Sequence, residues 1–270
     1  MSKIPSMMEM LKAGAHFGHQ NSRWHPKMAP YLFGLRNGVH VIDLEKTVEE
    51  MEKTYNYVKT MASQGKIILF VGTKRQARET VKEAALACGM PYLVERWIGG
   101  LLTNFEEVRR RLKKYNGLKE QIKTGEIERY TKKEQVVLKK MVEKMDRYLV
   151  GLTQLENIPD ALYIADLRVE KTAVAEAKRT GVKIVAVCDS NVNPEKADYI
   201  IPANDDAVNS IKMMAAFIAE AVKEGKAEWE KNKAAMVKIK EEIKPTIMKK
   251  ASAPTAPRVE RRPIRKEESV

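Results

Sequence analysis

The chain has 270 residues, 44% of them hydrophobic, and 49 Lys+Arg against 36 Asp+Glu give it a formal net charge of +13. A sizeable core is affordable, and the basic excess favours a polyanionic partner, either nucleic acid or an anionic membrane face. No run approaches a membrane span, MSKIPSMMEM has neither the apolar core of a signal peptide nor the look of a transit peptide, and Cys88 and Cys188 lack paired spacing, so they read as reduced, buried thiols of a cytosolic protein.

Along the chain, Ser6 and Glu9 stand at capping-box spacing, which predicts a short helix ahead of the histidines; Gly14 and Gly18 then argue that it ends. PYLFGLRNGVHVID reads as an irregular hairpin turning at Asn37-Gly38. Next come compact apolar runs separated by helix-like segments: KIILFVG (66–72), MPYLVE (90–95), DALYIADL (160–167), VKIVAVCDS (182–190) and DYIIPAN (198–204). Continuous apolar strands alternating with amphipathic helices predict an α/β fold, a buried parallel sheet with helices on both faces.

Residues 103–155 interrupt this core. Thr103/Glu106 and Thr131/Glu134 predict two capping boxes. Phe105, Val108, Leu112, Tyr115, Leu118 and Ile122 in one segment, and Leu138, Met141, Met145, Tyr148, Leu152 and Leu155 in the other, recur at steps of three and four. Such narrow seams predict an antiparallel coiled-coil hairpin, with arms of roughly 30 Å. The domain organisation expected is a discontinuous α/β core of 1–102 and 156–230, a hairpin insertion of 103–155, and a basic tail of 231–270 that is largely disordered, above all in its last 20 or so residues.

Candidate chemistry gathers at three places. Parallel sheets collect ligands at the carboxyl ends of their strands, and that edge offers Lys74, Arg75, Asp166, Asp189, Asp205 and Asp206. GTKRQ lacks the P-loop and dinucleotide glycine patterns, so it is either a plain strand-to-helix turn or a phosphate contact through Lys74 and Arg75. Asn204 to Asp206 either cap the following helix, at least one of the aspartate pair doing so, or the aspartates hold a divalent cation, as phosphatases and receiver domains do. AHFGHQNSRWHP carries His16, His19 and His25, which suggest a metal site. No cysteine lies near, so a closed local zinc site is disfavoured; a structural divalent ion shared between His16 or His19 and Asp189, Asp205 or Asp206 stays open beside simple packing. The neighbouring Arg23, Trp24 and Lys27 fit a phosphate-contacting and base-stacking segment. Finally, Arg96 in ERWIGGLLTNFEEVRRR, with Arg109, Arg110, Arg111 and Lys113, forms either a solvated basic face or an RNA-contacting one.

MLKAGAHFGHQNSRWHPKMAPYLFGLRNGVHVIDLEKT, LFVGTKRQA, RWIGGLLTNFEEVR, PDALYIADLRVEKTAVAEAKRTGV and IPANDDAVNSI occur in one order over about residues 5 to 225. Together they closely resemble the bacterial small-subunit ribosomal protein S-two family. The resemblance implies a non-catalytic, cytoplasmic component of the ribosome that binds 16S ribosomal RNA between head and body. It also implies neighbouring small-subunit proteins and the large messenger-binding protein S-one as partners, close to the messenger exit region, with no membrane and no homo-oligomer. The family fold it implies is a parallel α/β sheet with a protruding coiled-coil hairpin. Lys183 stands where the family often has Pro or Ala, and the tail carries no family motif. The rival to an RNA-binding assembly component is a divalent-metal phosphatase or receiver-type protein working through Asp189, Asp205 and Asp206.

Overall fold

The computed structural model describes the backbone of residues 4–251 and the side chains of residues 4–233. Of the described residues, those up to Trp229 form one compact unit and those from Glu230 a second. The expected disorder of the last 20 or so residues falls outside the described residues; within the basic tail, residues up to 251 continue a helix.

The N-terminal segment folds as a small antiparallel sheet. Helix α1 (Met7–Ala13) opens on the predicted Ser6/Glu9 capping box and ends at Gly14, whose φ of 74° needs a residue without a Cβ. β1 (Phe17–Gln20), β2 (Leu32–Arg36) and β3 (Val39–Ile42) follow, in the order β1-β3-β2. Asn37 and Gly38 both have positive φ (49° and 76°) and close the β2–β3 hairpin as predicted. Gly18 does not end the helix. It lies in β1, where an added Cβ would come within 2.8 Å of Ser190 Oγ and 2.9 Å of the His40 carbonyl. Glycine there lets β1 lie against the loop after a strand of the main sheet.

That sheet contains β4 (Ile68–Val71), β5 (Tyr92–Leu93), β6 (Ala161–Ile164), β7 (Lys183–Cys188) and β8 (Tyr199–Pro202), all parallel, ordered β5-β4-β6-β7-β8. Alternate residues feed two cores. Phe70, Tyr163, Val185 and Ile201 face one, with α2 (Leu44–Ser63), α3 (Arg78–Cys88) and the first part of α7 (Val208–Ala251); Leu69, Leu162, Ile184 and Ile200 face the other, with α6 (Lys171–Thr180). The predicted buried parallel sheet with helices on both faces is therefore present.

Helix α2 belongs to a stretch that the sequence reading leaves unassigned. Asp43 caps it, accepting from the Glu45 amide at 3.0 Å. On its buried face Thr47 Oγ1 donates to the Pro202 carbonyl (2.7 Å) and Thr54 Oγ1 approaches that of Ile200 (3.5 Å). β8 is an edge strand, so these carbonyls have no neighbouring strand to accept from. The helix supplies the donors.

Residues 103–155 hold two helices in contact, α4 (Phe105–Thr124) and α5 (Lys132–Leu149). The Thr131/Glu134 capping box forms. The one expected at Thr103/Glu106 does not: Asn104 stands at the helix start, and Thr103 turns to Glu176 of α6. In α4 the buried residues are the expected Val108, Leu112 and Tyr115; in α5 they are Val142 and Leu149, with Met141 and Tyr148 only half-buried. The inner face of α5 is thus turned toward Val142 and Leu149 in place of Met141 and Tyr148, while the expected Met145, Leu152 and Leu155 keep their places in the core. The rotation turns Asp146 toward α4, where it binds Tyr115 Oη and Lys119 Nζ.

Candidate functional site

In a sheet of this order the chain reverses direction between β4 and β6, and the crevice beyond those strand ends is where such folds take ligands. Here it is filled from within. Lys74, just after β4, points its ammonium at Asp166 Oδ2 beyond β6 (3.0 Å), Asp205 Oδ1 (2.8 Å) and Asp206 Oδ1 (2.8 Å). It also donates to the Asp205 carbonyl at 2.7 Å. Beside it the Thr73 amide donates to the buried Glu170 carboxylate at 2.9 Å. Burial works against a charged Lys74, but its contacts with Asp205 and Asp206 prevail and raise its pKa.

His19 closes the other side. Its Nδ1 lies 3.1 Å from Asp189 Oδ2, at ion-pair distance though off the hydrogen-bond line, and its Nε2 lies 3.3 Å from Asp206 Oδ2. Its amide donates to Ser190 Oγ at 2.8 Å. Contact with Asp189 outweighs burial and raises the His19 pKa. Asp205 is pushed up to about 7, by burial first and then by Asp166 and Asp189. Burial acts the same way on Asp206, but Lys74, His19 and Arg23 hold its pKa below the usual value.

The aspartates do not cap α7. Asn204 Oδ1 instead accepts from the amides of Asp206 (2.8 Å) and Ala207 (3.3 Å), an Asx turn that ends just ahead of the helix. This frees both carboxylates for the cluster. Ligand atoms of His19, Asp205 and Asp206 lie within 4.8 Å of one another, and Asp205 Oδ2 is buried with no hydrogen-bond partner. These three residues are the set that could hold a cation. His16 is not among them; its ring packs 4.0 Å from that of Phe17, and burial lowers its pKa. His25 caps a short turn, its Nδ1 accepting from the Lys27 amide, and its own amide donates to the Ser190 carbonyl. Asp189 and Asp205 are each only 1% exposed, against 55% for Asp206. A phosphoryl donor would find one accessible carboxylate, already paired to Lys74 and His19.

The other basic candidates are scattered over the surface. Arg23 and Arg75 are exposed, Lys27 pairs with Glu195, and Trp24 lies 5.0 Å from the ring of His40. The Arg96 guanidinium sits over Tyr148, 5.4 Å from its ring centroid. Arg110 and Arg111 share Glu107, at 2.8 and 3.4 Å, while Arg109 and Lys113 are exposed on the same helix. Of the candidates, the structure therefore brings His19, Lys74, Asp189, Asp205 and Asp206 together. The RNA candidates are not one cluster, and Lys74 is tied to carboxylates.

Glu176 went unnoticed in the sequence. Its carboxylate accepts from Trp97 Nε1 (2.9 Å) and from the amides of Gly100 (2.9 Å), Leu102 (3.1 Å) and Thr103 (3.3 Å), and from Thr103 Oγ1 (3.2 Å). Burial opposes its charge, but these donors outweigh it and lower its pKa. The available signal was a glutamate amid the small, apolar positions of KTAVAEAKRT.

A sheet edge closed by its own charges, inside a strongly basic chain, describes a binding or assembly protein more readily than an enzyme. The model of the family Ribosomal protein S2 matches residues 10–225. The chain belongs to that family. It is accordingly a small-subunit ribosomal protein of the translation machinery, a family of structural rather than enzymatic components, and its place is the ribosome. No described helix is long and apolar enough to cross a membrane.

Proposed function

We propose that this chain is a non-catalytic component that docks on 16S ribosomal RNA between the head and body of the small subunit. The observation that carries the reading is the family match over residues 10–225. The net charge of +13 supports it, because phosphate neutralisation supplies most of the affinity in such contacts. Arg23, Arg75, Arg96, Arg109, Arg110, Arg111 and Lys113 neutralise phosphate, Lys27 joins them on release from Glu195, and Trp24 braces its segment. Lys74 serves inside the fold instead, as the counter-ion of the carboxylates. Residues 103–155 act as a coiled-coil arm on a discontinuous core. Association with protein S-one and other neighbours uses an apolar surface; edge strand β2 presents Phe33, 79% exposed, and Leu35.

The charge cluster serves structure in this reading. It ties β1, through His19, to the ends of β4, β6, β7 and β8. A divalent cation held by His19, Asp205 and Asp206 would satisfy the orphaned Asp205 Oδ2, and the donor set of one imidazole and two carboxylates suits such an ion.

The test is binding of the full chain to 16S RNA and to small subunits lacking this protein, over a salt series. Affinity that falls steeply with salt and survives Asp189→Ala supports the reading. Absence of binding at low salt, or metal-dependent phosphate hydrolysis abolished by Asp189→Ala, would overturn it.

A further inference from the structure

Helix α5 carries six cations and three acids in 18 residues. The acids are mostly spent on the fold. Glu134 closes the capping box with Thr131, and Asp146 faces inward to Tyr115 and Lys119. Among the described residues, Glu143 alone of the three is exposed and pairs with no other group. The cations show the opposite disposition. Lys133, Lys140, Lys144 and Arg147 are all exposed, and among the described residues none has an ion-pair partner. With Val137 they recur at steps of four and three, so they share one stripe, on the side away from buried Val142 and Leu149. From Lys133 to Arg147 the stripe runs about 21 Å.

Such a stripe is unfavourable for the isolated helix. Lys140/Lys144 and Lys144/Arg147 are like charges at i,i+4 and i,i+3, which repel rather than stabilise. The composition also disfavours a protein partner, since protein interfaces are depleted of lysine and need an apolar core, and this stripe offers one valine. Evenly spaced, unpaired cations with no aromatic group to read a base suit successive phosphates of a nucleic-acid backbone.

We propose that the outer stripe of α5, Lys133, Lys140, Lys144 and Arg147, is a phosphate-backbone contact to RNA, separate from the arginine run of α4 and insensitive to base sequence. It rests on the reading that the chain binds 16S RNA. Its exposed repulsion is relieved when phosphates replace water around the four charges.

The test uses the full chain with all four positions changed to Gln, binding to 16S RNA and to small subunits lacking this protein from low to moderate salt. Each lost phosphate contact removes about 0.7–0.9 from the slope of log affinity against log salt, so four remove about 3. At low salt the affinity falls at least about tenfold. A control changes Lys12, Lys171, Arg179 and Lys212 to Gln, an equal loss of charge off the stripe, and its slope stays within about 1 of the parent. The stripe variant melts no lower than the parent, because it removes repulsion. Should it fail to fold, the pair Lys140→Gln and Lys144→Gln reads the same effect at half size. A parent-like slope in the stripe variant, with the parent itself binding, overturns the stripe and leaves the RNA reading standing. Equal losses in stripe and control overturn it as a net-charge effect. Loss of binding to subunits but not to naked RNA overturns it in favour of a protein contact. If the parent fails to bind, both readings fall.

Discussion

Glu176 joins α6 to the loop from which α4 departs, and its removal is the sharpest available perturbation of that join. Glu176→Ala leaves the amides of Gly100, Leu102 and Thr103 and the Trp97 indole without their acceptor. An orphaned buried donor costs about 1–3 kcal/mol, less where water reaches it. Leu102 is buried, whereas Trp97, Gly100 and Thr103 are more open, so the loss totals about 3–5 kcal/mol rather than four full penalties. Glu176→Gln keeps the shape but turns an amide donor toward donors, for about 1.5–3 kcal/mol. Urea unfolding of the full chain measures both. Acid adds an independent check. The folded carboxyl is held below its ordinary value of 4.5, so the unfolded chain takes up protons first as pH falls. The Glu176 contribution is therefore complete above that value and lost as pH drops through the depressed folded pKa; Glu176→Gln removes that part of the acid limb. If Glu176→Gln matched the parent in stability at pH 7 and in its acid limb, the carboxylate clamp would be wrong. Hydrogen exchange localises the damage: Leu102 and Thr103 amides lose protection before those of β6.

Three further outcomes follow from other contacts. Thr47→Val with Thr54→Val keeps the packing of α2 but leaves β8 carbonyls without donors, lowering unfolding stability by about 1–3 kcal/mol, mostly through the 2.7 Å bond of Thr47; no loss in denaturant melts would refute the edge-capping role of α2. Lys74→Met leaves Asp166, Asp205 and Asp206 without their shared cation and costs about 3–5 kcal/mol near neutral pH, partly recovered in acid or by Asp205→Asn; a cost independent of pH would contradict this. The raised His19 pKa makes its contribution complete below the ordinary value of 6.5 and lost as pH rises through the higher folded value. An NMR titration should place His19 above His16, whose pKa is lowered, and a reversed order would refute the assignment.

The parallel sheet was legible because five compact apolar runs alternate with helix-like segments, a signal local to each strand. Helix α2 was not, because its buried face mixes Thr47 and Thr54 with Met51, Tyr55 and Val58, and the threonines make sense only beside the edge strand they serve. Two positions of the α5 seam were misread because Met141 and Val142, and Tyr148 and Leu149, are adjacent apolar pairs. Periodicity alone cannot choose between them; the pull of Asp146 toward Tyr115 and Lys119 does. Thr103 satisfies a capping pattern locally, yet Glu176, distant in sequence, takes its hydroxyl and amide. In the charge cluster the residue types were visible, and their pairing was not. Which ammonium meets which carboxylate depends on strand order, and no local pattern encodes the crossing from β4 to β6.

That crossing explains why a fold built to take small ligands serves here as a scaffold. At the reversal point between β4 and β6 a ligand site needs an open crevice with unspent polar groups. Lys74 bridges the crevice to Asp166, Thr73 spends its amide on Glu170, and His19 arrives on β1 to cover Asp189 and Asp206. Gly18 is the condition for that last step, since any side chain there would strike Ser190 and hold β1 away. The polar groups at the sheet edge are turned on one another, at the point where a ligand-binding sheet of this order needs them unspent. Net positive charge is left to the surface, as on α5, where Glu134 closes a capping box and Asp146 turns inward to Tyr115 and Lys119. Fold closure thus uses one set of charges, and the proposed RNA contacts use another. A substitution at His19, Lys74 or Asp205 should act through stability, while one on the α5 stripe should act through affinity with the fold intact.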